Sequence, residues 1–161
     1  MCRIFLCNCA NGLQYAGMVN PRLIEAYQNT EFVVEAADEQ IVLRVGEPNH
    51  RIDSLLRACG ETNGAYITAC NPQSVRLGSP ENARRHEMLQ DRVRKLGHQF
   101  FSGRGIGRDG DWPAEESLFI VGVGRRRALE LGRDFGQNAI VFKEIDRSTE
   151  LLLCIAPDPD T

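Results

Sequence analysis

Apolar and polar positions along the chain switch between two periods, and the switches mark the elements. Residues 1–26 show no clear period and read as an irregular N-terminal extension. Glu31–Ala36 and Gln40–Gly46 are β-rich runs joined by Ala37-Asp38-Glu39, which predicts a hairpin. Asn49 suits the cap of a short helix with Ile52, Leu55, Leu56 and Cys59 on one face and Gly60 as its stop. Ala65–Cys70 reads as a strand that ends at Asn71-Pro72. Ser79-Pro80-Glu81 predicts a helix start: a capping serine, a proline at the first helical position, and an early acid facing the positive helix end. That helix runs to Leu96, with Gly97 as its stop. His98–Ser102 is a short strand and Gly103–Glu115 a glycine-rich loop. Ser117–Val123 is an apolar strand buried on both faces. Arg125–Phe135 is a helix closed by Gly136, and Ala139–Ile145 is the next strand. Thr149–Ile155 adds another before a frayed tail at 157–161.

From Ala65 to Ile145 the order is strand, helix, strand, strand, helix, strand. This predicts an α+β fold with a ferredoxin-like split βαβ core (βαββαβ, mainly antiparallel sheet) and an added N-terminal hairpin and helix. The single domain spans 27–156. In this topology the end of the first core strand, the start of its helix and the starts of the third and fourth core strands share one rim. Asn71, Ser74, Asn82, Arg85, Glu115, Glu116, Gln137 and Asn138 should therefore converge there, although they are far apart in the chain.

Composition narrows the classes. The 161 residues are 42% hydrophobic and 25% charged, ordinary values for a soluble globular chain. A formal net charge of −3 weighs against a protein built to hold nucleic acid, and no apolar run is long enough to span a membrane. Arg125-Arg126-Arg127 read as a solvated helix start. Cys59, Cys70 and Cys154 sit in apolar stretches and read as buried thiols, which fits a reducing cytoplasm. Cys7-Asn8-Cys9 lacks a second pair at zinc spacing, so no metal site is expected. Gly105-Ile106-Gly107-Arg108-Asp109-Gly110 spells a dinucleotide fingerprint, but a strand follows it where a helix is required. The sequence identifies no cofactor and no reaction.

The sharpest local signal is polar. On the helical wheel Asn82 and Arg85 project near Leu89, on the side facing the sheet. A guanidinium there needs an acceptor, either Glu115 or Glu116, or an anionic ligand favoured by the helix N-terminus. Adjacent side chains in a strand face opposite ways, and Glu116 is taken as the inward acid, a candidate general base. Gln137 and Asn138 suit reading a ligand or fixing buried backbone groups. Trp112 suits anchoring its loop or stacking on a ligand.

Four ordered segments resemble a known bacterial family. Ala65-Tyr66-Ile67-Thr68-Ala69-Cys70-Asn71-Pro72 with Ser74 resembles its "(A)(F/Y)ITA-x-NP-x-S" strand and turn. Glu81-Asn82-Ala83-Arg84-Arg85 resembles its "ENxxR" helix start, and Asp109–Ser117 its "DGxWPxExS" segment. Leu131–Val141 resembles its "LGxxFGQNAIV" signature. The chain is thus similar, over roughly residues 27–145, to the uncharacterised domain of unknown function 3293. The resemblance carries over Asn71, Ser74, Asn82, Arg85, Trp112, Glu116, Gln137 and Asn138, and it brings no activity. The combined expectation is a small anionic, phosphate- or nucleotide-like ligand held by Asn71, Arg85 and Gln137, with Glu116 as acid/base. The alternative is a non-catalytic interaction or regulatory module whose motif residues form a buried polar network.

Overall fold

The computed structural model describes residues 20–108, 110 and 112–154. The expected Cys7–Cys9 pair, most of the N-terminal extension and the 157–161 tail lie outside the described residues. In chain order the elements are α1 (Pro21–Gln28), β1 (Thr30–Ala36), β2 (Glu39–Leu43), α2 (His50–Ala58), β3 (Asn63–Thr68), a 3-10 turn (Pro72–Ser74), α3 (Ser79–Lys95), β4 (Phe100–Gly107), β5 (Glu115–Val121), α4 (Arg125–Asp134), β6 (Ala139–Glu144) and β7 (Glu150–Leu153). The fold is mixed α+β: one seven-stranded sheet, order β2-β1-β4-β5-β3-β6-β7, with every neighbouring pair antiparallel.

The central strands are apolar throughout because both sheet faces are covered. Ala65, Ile67, Leu118, Ile120, Ile140 and Phe142 pack with Leu89 and Val93 of α3 and Leu131 of α4. The alternate residues Tyr66, Phe119, Val121 and Val141 pack on the other face with Ile52 and Leu56 of α2, and Tyr27 of α1 joins that cluster. Period-two alternation thus sorts each strand between two cores. On the second face, Lys143 of β6 is fully buried against Asp53 of α2. Its Nζ also donates to the Glu144 carbonyl at 2.7 Å, so the buried charge is both paired and hydrogen-bonded.

Three expectations are corrected. The glycines at 103, 105 and 107 lie within β4 and pair with β1 and β5. Gly103 has a packing reason: a Cβ there would collide with the Val33 carbonyl oxygen and press on the Tyr66 ring. Strand β4 runs on to Gly107 and β5 opens at Glu115, so the expected loop is partly strand. Ser79 is the first residue of α3 and Gly78 its cap, because the Gly78 carbonyl already accepts the Asn82 N–H at 3.0 Å. Finally, α1 crosses the boundary drawn at residue 26. The Asn20 side chain caps it by accepting from Arg22 N, with proline at its start. By contrast, Asn49 caps α2 as expected, accepting from Ile52 N at 3.1 Å.

Candidate functional site

The turn after β3 is left-handed at three non-glycine residues: Asn71 (φ +45°), Gln73 (φ +54°) and Ser74 (φ +58°). Such conformations persist only where surroundings hold them. Here the surroundings are the motif side chains. Asn71 and Asn82 form a reciprocal amide pair: Asn71 N donates to Asn82 Oδ1 at 3.0 Å, and Asn82 Nδ2 donates to Asn71 Oδ1 at 3.0 Å. Asn71 Oδ1 also accepts from Leu77 N at 2.8 Å. Gln73 N donates to the carbonyl of Gly136, whose own φ of +69° ends α4. Asn138 Nδ2 donates to Ser74 Oγ at 3.1 Å.

Arg85 is half-buried and faces neither an acid nor an open cleft. Its Nε donates to the Ala69 carbonyl at 2.7 Å and its Nη2 to the Phe135 carbonyl at 2.6 Å. It thereby straps α3 to the ends of β3 and α4. The expectation of a carboxylate partner is corrected: two orphan carbonyls past the ends of those elements supply the acceptors. Gln137 is buried and donates through Nε2 to the Cys70 carbonyl at 3.0 Å, and to Phe135 O at 3.4 Å. Arg85 and Gln137 thus meet on one carbonyl, at one end of the sheet.

The acid facing inward is Glu115. Its Oε1 accepts from Asn71 Nδ2 at 2.6 Å and from Trp112 Nε1 at 2.8 Å. Glu116 is exposed, opposite Arg104 in the β4–β5 register, and only its backbone carbonyl is used, accepting from Thr68 Oγ1 at 2.8 Å. This overturns the choice of Glu116 as the inward acid. Glu115 is in phase with Ser117 and Phe119, whereas Glu116 points to the α3/α4 side beyond those helices.

Glu115 opens onto a cavity of ≈ 300 Å³ between α1 and the sheet. Apolar walls come from Leu23 and Tyr27 of α1, Phe32 of β1, Tyr66 of β3 and Val141 of β6. Of the expected residues, Asn71, Ser74, Trp112 and Gln137 line it; Asn82, Arg85, Glu116 and Asn138 do not. Trp112 is 38% exposed at the lip, with the Arg76 guanidinium 5.2 Å from its ring centre. Arg108, exposed, is the cation on the lining.

The cavity disfavours ionisation of its hydroxyls. Burial pushes Tyr27 from 10.0 up to about 12, with the charges of Glu115 and Cys154 adding and a backbone hydrogen bond at Ala139 opposing. Burial likewise raises Tyr66, whose hydroxyl donates to the Val33 carbonyl at 3.1 Å. The Cys70 thiol behind the turn is raised by burial, a hydrogen bond from Thr68 opposing and Glu115 and Glu116 adding. It is a poor nucleophile in this state.

Sequence reasoning missed Tyr27 and Tyr66, and it placed Glu115 on the rim but chose Glu116 as the inward acid. Tyr27 lies in a helix too short to show a period, and Tyr66 reads as an ordinary core residue. Among the described residues no three His, Cys, Asp or Glu side chains gather as a metal site, and no helix is long and apolar enough to cross a membrane. The three arginines opening α4 face acids: Arg125 pairs with Glu150, and Arg126 and Arg127 with Glu130.

No curated protein and no solved structure matches the chain. Residues 67–140, which hold the turn, the α3 strap, Glu115 and Gln137, match the family described as "Protein of unknown function (DUF3293)", the uncharacterised family that the four motifs resemble.

Proposed function

We propose that this domain binds a small, predominantly apolar molecule in the cavity between α1 and the sheet. The carrying observation is the cavity itself: ≈ 300 Å³, walled by aromatic and aliphatic side chains, with Glu115 and Gln137 as convergent polar groups. Pockets of this size and lining are the usual form of a small-molecule site. An anion held by Arg85 is no longer the best reading, because both of its bonded nitrogens serve backbone carbonyls. A phosphate would find only exposed Arg108 on the lining.

The reading extends to fold and setting. The order β4-β5-β3-β6, with α3 and α4 on one face, supports a ferredoxin-like core inside the larger sheet. The described cysteines Cys59, Cys70 and Cys154 are unbridged, which supports a reducing, cytoplasmic setting.

The test is saturation-transfer NMR of the full chain with a panel of small aromatic fragments, repeated on Ala26→Trp. Ala26 lines the cavity from α1, so an indole there fills it. Fragment signals in the native protein that vanish in the folded variant are expected. Signals that survive the block, or no signals at all, overturn the proposal. The latter favours the second reading, a non-catalytic module in which Asn71, Asn82, Arg85 and Gln137 serve only as a buried polar network; their bonds to the backbone and to one another support it.

A further inference from the structure

The hydrogen bonds on the inner wall of the cavity are unevenly spent. Oε1 of Glu115 is taken by Asn71 and Trp112, while Oε2 accepts no bond among the described residues. No arginine, lysine or histidine among them pairs with this carboxylate. Gln137 repeats the pattern: Nε2 is fixed by two carbonyls, and Oε1 has no partner among the described residues. Both side chains line the same cavity and are held by consecutive residues, Glu115 by Asn71 and Gln137 by Cys70.

The surroundings favour positive charge. Tyr27, Phe32, Tyr66 and Trp112 bring aromatic rings to the same cavity. Ring faces attract cations, and Phe32 and Tyr66 already lock each other edge-to-face at 5.3 Å. A half-buried carboxylate in an apolar cavity without a counter-ion gains most from a ligand that supplies one. The cation on the lining, Arg108, is exposed and forms no ion pair with Glu115.

We propose that the ligand carries a primary ammonium group on a small apolar body. The ammonium sits between Glu115 Oε2 and Gln137 Oε1, and the body fills the space toward Leu23 and Val141. Asn71 and Trp112 are positioning residues that hold Glu115 with one oxygen turned to the ligand. This inference rests on the cavity reading above and adds the charge of the ligand to it.

Calorimetric titration of the full chain at neutral pH separates the two claims. The probes are 2-phenylethylamine, 2-phenylethanol and 3-phenylpropionate: one body with a cationic, neutral or anionic end. The expected result is that the amine binds about tenfold tighter than the alcohol, the scale of one charge-assisted hydrogen bond. Glu115→Gln should erase that preference, bringing the amine-to-alcohol affinity ratio close to one. Equal binding of amine and alcohol, or tightest binding by the phenylpropionate, overturns the ammonium inference and leaves the cavity reading standing. Binding of none of the three overturns the inference as well, and the fragment panel with Ala26→Trp then decides the cavity reading alone. The amine-to-alcohol ratio of the native protein decides the matter even if Glu115→Gln folds poorly.

Discussion

The two sides of the sheet meet the same polar rim and use it differently. On the α3/α4 side, Asn82 and Arg85 spend their donors on the turn after β3 and on the Ala69 and Phe135 carbonyls, and the core behind them is closed by Leu89, Val93 and Leu131. On the α1/α2 side the sheet is sealed at one end by the buried Lys143–Asp53 pair and left open at the other as a cavity. There Glu115 and Gln137 each keep an oxygen unspent. Motif residues from one rim therefore divide into those that hold the backbone and those that face a space. A shared location does not make a shared role; the fate of each donor and acceptor does.

The comparison is easiest to break at its sealed end. Lys143→Ala leaves Asp53 buried without a counter-ion and should cost about 3–5 kcal/mol, read as a drop in the urea midpoint. The pair replacement Lys143→Met with Asp53→Leu should recover most of that loss, because burying two apolar groups avoids the desolvation of both charges. On the α3/α4 side, Arg85→Met strands the Ala69 carbonyl and leaves Phe135 O only its longer bond from Gln137, and should cost about 2–4 kcal/mol, while Glu116→Gln on the exposed edge should stay within about 0.5 kcal/mol. Equal losses at Arg85 and Glu116 would contradict the division of roles.

A smaller effect sharpens the cavity side. Tyr27 ionises at about 12 in the folded protein and at its ordinary 10.0 when unfolded. Below 10 both states hold the proton. Above 10 only the unfolded state releases it, so stability falls as pH rises toward 12. Tyr27→Phe should lose Tyr27's share of this slope and keep that of Tyr66, seen as a flatter dependence of the urea midpoint above about pH 10 than in the native protein.

Much of the frame was legible in the sequence. The hairpin of β1 and β2, the Asn49 cap and the strands β3, β5 and β6 follow from period and punctuation. Antiparallel neighbours then bring Asn71, Arg85 and Gln137 to one rim. What failed has a common cause. A sheet covered on both faces has no outside, so alternation cannot say which of Glu115 and Glu116 faces space. Glycine in the 103–107 run signals a flexible loop or a close backbone approach alike, and only the packing of Gly103 on Val33 and Tyr66 tells which. The wheel placed Arg85 toward the sheet, but carbonyl groups are invisible to a search for side-chain partners. Lys143 was unremarked because one lysine in an apolar strand shows nothing of the aspartate ninety positions earlier that neutralises it.

The central claim is that Arg85 holds the fold and the cavity beside it holds the ligand. Titration of folded Arg85→Met with 2-phenylethylamine tests this most directly, at a temperature well below the variant's own melting point. The account predicts an affinity within about twofold of the native protein despite the lowered stability. A loss of more than about tenfold in protein that is still folded would contradict it.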